Sequence, residues 1–424
     1  METQKKQNRM GWGKDSFRTR LVKGTLGLSE KGLSERSVNA CEPAAENLKL
    51  AMEDAKANWK IGVICGMSGS GKTRLAERVL VGAIWPMPIP ESSRGLAILD
   101  SLTAGLDGCW MTDELTHLLT QVGLGNAVTW LRPLECLSEG EKFRAGLARL
   151  LLQGIACAKR EGKKRELTLV MDEFGSALDG TTARNVCMCL DKWMRSMGER
   201  WRLRLVVVTC HGELYDWLRG DWKLELPDGM LQPRGGLRRE LCLRVERCHA
   251  TAWKLFAEHH YLDGDLGRGV QCFVVMEGVK VVAFCALGSS WGQPGMRRVQ
   301  RLVVMPAYQG LGIGKKLLAL VSEEAMLAGH EVRITTGHPA MVRSLEKDER
   351  WDFCCLKKVG SCRHGSRGGV TPTSMGRPVT TFRFVGEGEV QDGDDQAEQT
   401  EEACGKASGG TDSGGEEVPA SRAV

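Results

Sequence analysis

The sequence predicts two α/β domains in tandem followed by an acidic tail, and three observations indicate this organisation. At 424 residues the chain is longer than one ordinary domain. β-type runs alternate with helical patterns over residues 55–230, and a second α/β block runs from 238 to 385. Each block holds one glycine-rich turn between a predicted strand and a predicted helix. The alternation in the first block is typical of a mostly parallel sheet that is covered by helices.

The composition narrows the class of protein. With 42% hydrophobic and 26% charged residues the chain has the make-up of soluble globular proteins. No apolar run is long enough to span a membrane, and the N-terminus lacks the apolar core of a signal peptide. We therefore expect a cytoplasmic protein. The sixteen cysteines include no C-x-x-C pair, which argues against a zinc ribbon or a redox motif.

Changes in pattern place the boundaries of the first domain. Residues 1–50 form a basic N-terminal segment with one possible strand in SFRTRLVKGTL. The first domain covers residues 51–230. The stretch LPDGMLQPRGG, residues 226–236, has the proline and glycine content of a linker, which we assign to 231–237.

The second domain covers residues 238–385 and contains a predicted mobile loop at 360–378. From residue 386 onward Gly, Ser, Asp and Glu dominate, so residues 386–424 predict a disordered acidic tail. Residues 387–424 hold eleven acidic and two basic side chains, so the rest of the chain carries a net charge of +14. This polarity is common in proteins that meet polyanions, and solubility alone is the alternative explanation.

The first predicted strand, WKIGVIC, leads into GMSGSGKT, which matches the pattern G-x-x-x-x-G-K-[ST]. Its glycines let backbone N–H groups surround phosphates, and the following helix adds its positive end. Lys72 supplies a charge to the outer phosphates, and the Thr73 hydroxyl is placed to bind Mg²⁺. The segment predicts an ATP site formed by Gly66, Ser68, Gly69, Ser70, Gly71, Lys72 and Thr73.

The other predicted strands of this domain are LAILDS, ELTLVMD and RLRLVVVTC. ELTLVMD ends in Asp172, which can hold Mg²⁺, and the next residue, Glu173, can polarise an attacking water. The segment SALD follows at once. RLRLVVVTC is followed by His211, which places an imidazole at the sheet edge where ligands bind in such folds.

The stretch LSEGEKFRAGLARLL, residues 137–151, resembles the LSGGQ signature of the ABC ATPases. The resemblance covers residues 55–230 and places the Ser138 hydroxyl and the Gly140 N–H group against a γ-phosphate. It implies a head-to-tail dimer that sandwiches two ATP molecules. The second glycine of the signature is replaced by Glu139, and an ordinary helix start at Ser138 is the alternative interpretation of the motif.

The second glycine-rich turn lies in VQRLVVMPAYQGLGIGKKLLALVSEEAMLAG and reads Q-x-x-G-x-G. It resembles motif A of the GNAT acetyltransferases, in which the turn holds the pyrophosphate of acetyl-CoA and the preceding splayed strand binds the pantetheine. The resemblance implies an acetyl-CoA site formed by Leu302, Val303, Val304, Gln309, Gly310, Leu311, Gly312, Ile313 and Gly314. A dinucleotide site is the competing interpretation, but no G-x-G-x-x-G with a later acidic residue is present.

Candidate catalytic groups of the second domain lie in two places. FAEHHYLDGDL contributes His259 and His260, whose neutral imidazoles can deprotonate an amine. The alternative interpretation is that neither is catalytic, with one histidine packed inside the protein and the other exposed to solvent. HHYL is also similar to the Mom-like phage DNA-modification enzymes, which are GNAT relatives acting on adenine in DNA. Tyr308 can protonate a departing thiolate, and simple exposure to solvent is its alternative.

Three functions follow from these features. The first is an ATPase fused to an acetyltransferase that modifies a base of DNA or RNA, because residues 238–385 hold 22 basic and 13 acidic side chains. Arginines of the predicted loop, Arg363, Arg367 and Arg377, fit contacts to a nucleic-acid backbone. The second is an ATP-gated acetyltransferase of a protein or small amine. The third is an ATPase switch with a degenerate GNAT-type binding module.

Overall fold

The computed structural model describes residues 16–25, 42–53, 58–162, 165–233, 241–260, 265–290, 292–358 and 378–386. The chain up to Gly386 forms one compact unit that contains two β-sheets. The predicted loop at 360–378 lies outside the described residues up to 377, and the predicted acidic tail at 386–424 does so from 387 onward. Within the described ranges, no helix combines the length and the apolar character that a membrane crossing requires.

The first sheet contains five strands in the order β2-β3-β1-β4-β5. Strands β1 to β4 run parallel, and β5 is antiparallel to β4. This confirms the mostly parallel sheet, and β1 and β3 are apolar along almost their whole length because helices cover both faces. The strands are β1 Ile61–Gly66, β2 Leu167–Met171, β3 Leu203–Thr209, β4 Trp222–Leu226 and β5 Met230–Pro233.

Helices pack on both faces of this sheet because successive strand residues point to opposite sides. Val63 joins a core with α5, α7 and α8, whereas Ile64 joins a core with α2 and α3. A π-helical turn, Met194–Gly198, continues α8. The helices are α1 Phe17–Thr25, α2 Glu42–Glu53, α3 Lys72–Val79, α4 Ile98–Ser101, α5 Thr112–Gln121, α6 Ala127–Trp130, α7 Glu139–Arg160, α8 Gly180–Trp193, α9 Glu199–Trp201 and α10 Leu214–Leu218.

Two predicted strands are helices. SFRTRLVKGTL forms α1, and the Ser16 hydroxyl accepts a hydrogen bond from the Thr19 N–H group at 3.2 Å, as a helix N-cap does. LAILDS contains α4, whose first residue, Ile98, is buried in the helical core together with Leu102, the residue that ends the helix. Four-residue spacing of apolar side chains suits one helix face, and the run is too short for periodicity to separate helix from strand.

The stretch predicted as a linker begins with a β-hairpin. β5, Met230–Pro233, pairs with β4 from Trp222 to Glu225, and the connection reads PDG. Pro-Asp-Gly is a tight-turn sequence as well as linker material, so composition alone did not separate the two. The predicted linker at 231–237 is therefore wrong up to Pro233, and residues 234–240 lie outside the described residues.

The second sheet contains seven strands in the order β11-β12-β10-β9-β8-β7-β6. β9 and β10 are parallel, and the other described neighbours are antiparallel. Helices α11 Ile313–Leu327 and α12 Pro339–Leu345 follow β9 and β10, and α11 packs against the core around Phe273 and Phe382. The strands are β6 Arg244–Cys248, β7 Gln271–Glu277, β8 Lys280–Ser290, β9 Gln293–Val304, β10 Glu331–Thr336, β11 Trp351–Lys358 and β12 Pro378–Phe384.

Arg149 in α7 holds the segment 87–104, which includes α4, against this helix. Arg149 is 2% exposed, and its guanidinium donates hydrogen bonds of 2.7 to 3.3 Å to the carbonyl oxygens of Met87, Pro88, Leu102 and Ala104. Burial lowers the pKa of Arg149. The carbonyl oxygens thus compensate a desolvated charge and tie this segment to the helix.

We expect Arg149→Ala to destabilise the protein by about 3 kcal/mol, because it leaves several buried carbonyl groups without donors. The fall of the thermal unfolding midpoint measures the effect. Arg160→Ala is the matched control on the same helix, since that side chain is 64% exposed and should be replaceable at almost no cost. Equal midpoints for the two variants would contradict a structural role for Arg149.

Candidate functional site

The two glycine-rich turns share one backbone geometry. Gly71 precedes α3 with φ 89° and ψ 13°, and Gly312 precedes α11 with φ 84° and ψ 9°. Both lie in the left-handed region that glycine adopts at little cost. Neither helix start receives a side-chain cap from a described residue, so the first N–H groups of each helix are available to an anion.

The first turn fits a bound phosphate chain. Lys72 Nζ donates to the carbonyl oxygens of Gly66 and Met67 at 2.9 and 2.8 Å, which holds the lysine over the turn. The Ser70 hydroxyl is buried and has no hydrogen-bond partner among the described residues. A buried hydroxyl without a partner is costly, and an added acceptor would satisfy it. Ser68, Gly69 and Thr73 are exposed at the same turn.

The predicted companions of this turn meet it at one edge of the sheet. Asp172 follows β2 and His211 lies just after β3, and both strands run parallel to β1, which ends at Gly66. Glu173 has φ 50°, a left-handed conformation that is strained for this residue type, and such strain clusters at functional sites. The Asp172 carboxylate accepts a hydrogen bond from the Glu173 N–H group at 2.8 Å. His211 Nδ1 lies 3.4 Å from Glu213 Oε1.

Ser138 is the N-cap of the 22-residue helix α7. Its hydroxyl accepts from the Glu141 N–H group at 3.3 Å, and its own N–H group donates to Glu141 Oε2 at 2.9 Å. The ordinary helix start is therefore present. Gly140 lies against the carbonyl oxygen of Ala177 in the SALD segment, so these two motifs are neighbours in space. Contact of Ser138 and Gly140 with a nucleotide stays a prediction.

The second turn borders a cleft of about 550 Å³. β9 and β10 pair only from Met296 to Val299, whereas β9 continues beside β8 to Val304. The strands therefore part after Val299, and the cleft opens between them. Leu302 and Val304 face the core beneath α11, while Val303 points to the opposite face of the sheet, so Val303 can reach a ligand in the cleft only through its backbone.

Some residues of the second turn line the cleft, and others contact the core or the first half of the chain. Gly312, Ile313 and Gly314 line the cleft, whereas Leu311 packs against the core and lies outside the lining. Gln309 and Gly310 also line the cleft but are held by the first half of the chain. Gln309 Oε1 accepts from the Gly125 N–H group at 2.8 Å. A Cβ atom on Gly310 would lie 2.5 Å from the Thr120 carbonyl oxygen and 2.8 Å from Cys189 Sγ.

Further contacts between the halves surround Tyr308. Arg184 of α8 binds the Glu277 carboxylate through two contacts of 2.8 and 2.9 Å, and the Tyr308 hydroxyl donates to Glu277 Oε2 at 2.5 Å. Asn185 is buried and donates to the Ala307 carbonyl oxygen at 2.8 Å. Tyr308 is 4% exposed, so its exposure to solvent, the alternative interpretation, is wrong. Burial and the Glu277 carboxylate raise the pKa of Tyr308, which stays a candidate acid.

Four histidines line the cleft. His259 and His260 were predicted, and both are half-buried; His259 Nε2 lies 3.4 Å from Glu258 Oε1, and the His260 ring lies 5.7 Å from the Trp253 ring. The next residue, Tyr261 of the HHYL run, lies outside the described residues.

His117 and His338 were missed by the sequence reasoning. Burial lowers the pKa of both, and the positive charge of Arg343 lowers that of His117 further. His338 Nε2 lies 3.1 Å from the Gly125 carbonyl oxygen, so that nitrogen carries the proton of the neutral ring. The one available signal for His338 was its place just after a predicted strand, as for His211.

Both halves of the chain match known proteins in sequence. Residues 268–346 match the acetyltransferase (GNAT) domain family. The chain is 32% identical over 189 residues to the aliphatic sulfonates import ATP-binding protein SsuB of Delftia acidovorans, covering 40% of this chain and 68% of the relative.

Two solved acetyltransferase structures also align with about a third of the chain. The IAA acetyltransferase of Bacillus cereus ATCC 14579 is 17% identical, with 34% of this chain and 99% of that chain covered and a TM-score of 0.26. The ribosomal-protein-S18-alanine N-acetyltransferase of Escherichia coli is 14% identical, with 35% and 99% covered and a TM-score of 0.28.

Lys72→Ala should abolish ATP binding, because the turn loses the only side-chain cation that its motif supplies. Titration calorimetry with ATP and Mg²⁺ measures this, and Lys49→Ala, an exposed lysine of α2, is the control that should bind as the parent does. We expect coenzyme A affinity to stay almost unchanged in Lys72→Ala if the two turns bind independently. ATP binding of parental strength in Lys72→Ala would contradict the assignment.

Acidification from pH 7.5 to 5.5 should destabilise the fold through His338. Its pKa is lowered in the folded state, whereas the unfolded chain protonates near its ordinary value of about 6.5. The unfolded state therefore binds more protons as the pH falls, and the stability present above that value is lost. His338→Gln should reduce the fall in unfolding midpoint across this range, and adding His117→Gln should reduce it more. An unchanged pH slope in the double variant would contradict buried neutral imidazoles.

Proposed function

Because the chain belongs to the ATP-binding protein family of SsuB and also carries an acetyltransferase (GNAT) domain at residues 268–346, we propose that it is an acyl-CoA-dependent N-acyltransferase with an ABC-type ATP-binding half. One observation carries this proposal. The β9–β10 opening and the start of α11 meet in one cleft, so unpaired strand backbone and free helix N–H groups face the same space. An elongated ligand with an anionic end fits such a site.

The chain's own residues account for binding acetyl-CoA. The N–H groups at Gly312 to Gly314 hold the pyrophosphate, and the β9 backbone beyond Val299 binds the amide groups of the pantetheine. Acetyl-CoA supplies an activated thioester when bound. An incoming amine must lose a proton, and the half-buried His259 and His260 are placed at the cleft to accept it. Tyr308 keeps its proton at neutral pH and can deliver one to the departing thiolate.

The ABC-type half binds ATP with Mg²⁺ in this proposal. Thr73 and Asp172 hold the metal, and Glu173 and His211 lie at the same sheet edge to orient an attacking water. Ser138 and Gly140, at the start of α7, meet the γ-phosphate of a second copy in a head-to-tail dimer. Ser138 is exposed and Gly140 is partly exposed at the start of a long helix, which supports such a contact.

The proposed acceptor is a base of DNA or RNA. The net charge of +14 before residue 387 supports a polyanionic partner, and an ATP-driven dimer can hold the polymer while a base enters the cleft. The likeness of HHYL to Mom-like enzymes also favours DNA. A protein or small amine is the alternative acceptor, and a binding module without transferase activity is the other alternative.

The test incubates the full chain with ATP, Mg²⁺, isotopically heavy acetyl-CoA and, in separate reactions, DNA, RNA, a lysine-containing peptide or a polyamine. Mass spectrometry then measures the digested nucleosides, the peptide and the polyamine. We expect a heavy acetyl group on one nucleoside, and its loss when acetyl-CoA is omitted. Unmodified nucleosides together with an acetylated peptide or polyamine would show that the acceptor is a protein or a small amine. Absence of transfer to any of these acceptors would overturn the proposed activity.

A further inference from the structure

One face of α8, in the ABC-type half, packs against the second turn, and the end of this helix reaches the acyl-CoA cleft with Lys192 and Trp193. Asn185, Cys189 and Lys192 are spaced by four and three residues, so they lie on the same side of the helix. Asn185 donates to the Ala307 carbonyl oxygen at 2.8 Å, and Cys189 Sγ lies 3.6 Å from the Gln309 carbonyl oxygen. The third residue of this series, Lys192, is exposed and lines the cleft, as Gln309 and Gly310 of the turn also do.

Some of the positively charged side chains that line the cleft pair with a carboxylate, and others do not. Lys315 pairs with Asp348 at 3.0 Å, and Arg343 pairs with Asp113 at 2.9 Å. Arg301 donates to the Gln300 carbonyl oxygen and lies over the Trp253 ring. No carboxylate in the described part of the chain pairs with Lys192 or Lys347. These two lysines are therefore available to an anionic ligand.

A phosphate at the second turn would lie near carbonyl oxygens of the first half, and a positive charge would offset this repulsion. The C-terminal end of α5 directs the Thr120 and Gln121 carbonyl oxygens at Gly310. The carbonyl end of a helix carries partial negative charge, which opposes a phosphate bound one or two residues further along the turn. A cation on the neighbouring helix would offset this repulsion, and Lys192 is the cation of α8 that lines the cleft.

We propose that Lys192 of the ABC-type half binds a phosphate group of the acyl-CoA, with Lys347 as its counterpart from the acetyltransferase half. The acyl-CoA site is then complete only when both halves are present. This inference rests on the proposed acyl-CoA function. It assigns to the ATP-binding half a direct part in the affinity for the second ligand, besides its own nucleotide.

Titration calorimetry of the full chain with coenzyme A tests the assignment. We expect Lys192→Ala to weaken binding by about tenfold, as loss of one charge-assisted contact does, with partial recovery in Lys192→Arg. The weakening should shrink at high salt, because the lost interaction is ionic. Lys357→Ala, an exposed lysine of β11 outside the cleft, is the matched control and should bind as the parent does. Unfolding midpoints of all variants show whether each is folded.

Pantetheine, which lacks phosphate, provides the decisive comparison. Its affinity should be equal in the parent and in Lys192→Ala, whereas the affinity for coenzyme A should differ. Equal coenzyme A affinity in the parent and in Lys192→Ala, or an equal loss for pantetheine, would overturn the role of Lys192 and leave the proposed function standing. A parent chain that does not bind coenzyme A at all would overturn both.

Discussion

An anion can be held by main-chain N–H groups only where the backbone turns them toward one point, and this constraint sets the architecture of both halves. Gly71 and Gly312 solve it in the same way, with a left-handed residue between a strand and a helix. The sheets then supply what each ligand needs in addition. The parallel sheet brings Asp172 and His211 to the edge beside the first turn, whereas the parting of β9 and β10 opens a groove beside the second.

The two halves are joined by partly buried polar contacts. Arg184, Glu277 and Tyr308 form a chain of charge-assisted hydrogen bonds, and Asn185 is buried against the backbone at Ala307. Hydrogen bonds that involve charged groups or lie in a low-dielectric interior are stronger than exposed neutral ones, so the Arg184–Glu277 and Asn185–Ala307 contacts favour association of the halves. The first half thereby fixes the position of the second turn from outside. This arrangement explains why one compact unit contains both sheets.

The sequence predicted most of what local pattern determines. The strands β1, β2 and β3, the glycine-rich turns and the cap at Ser138 lie where the motifs placed them. Prediction failed at α1 and α4, where short apolar runs fit a strand and a helix equally well, and at β5, where PDG marks a hairpin rather than a linker. The roles of Asn185 and Lys192 could not be predicted, because they depend on contacts between segments more than 100 residues apart. The sequence of α8 alone does not indicate which segment it contacts.

The packing at Gly310 limits how this chain can change. A single added methyl group would meet the Thr120 carbonyl oxygen and the Cys189 sulfur, which belong to the other half. Substitutions on one side of this seam must therefore be matched on the other, so the halves have to diverge together. An acetyltransferase domain from another protein would lack the surface that is complementary to the first half. Such a domain could not replace the second half of this chain, even if its own ligand groove were intact.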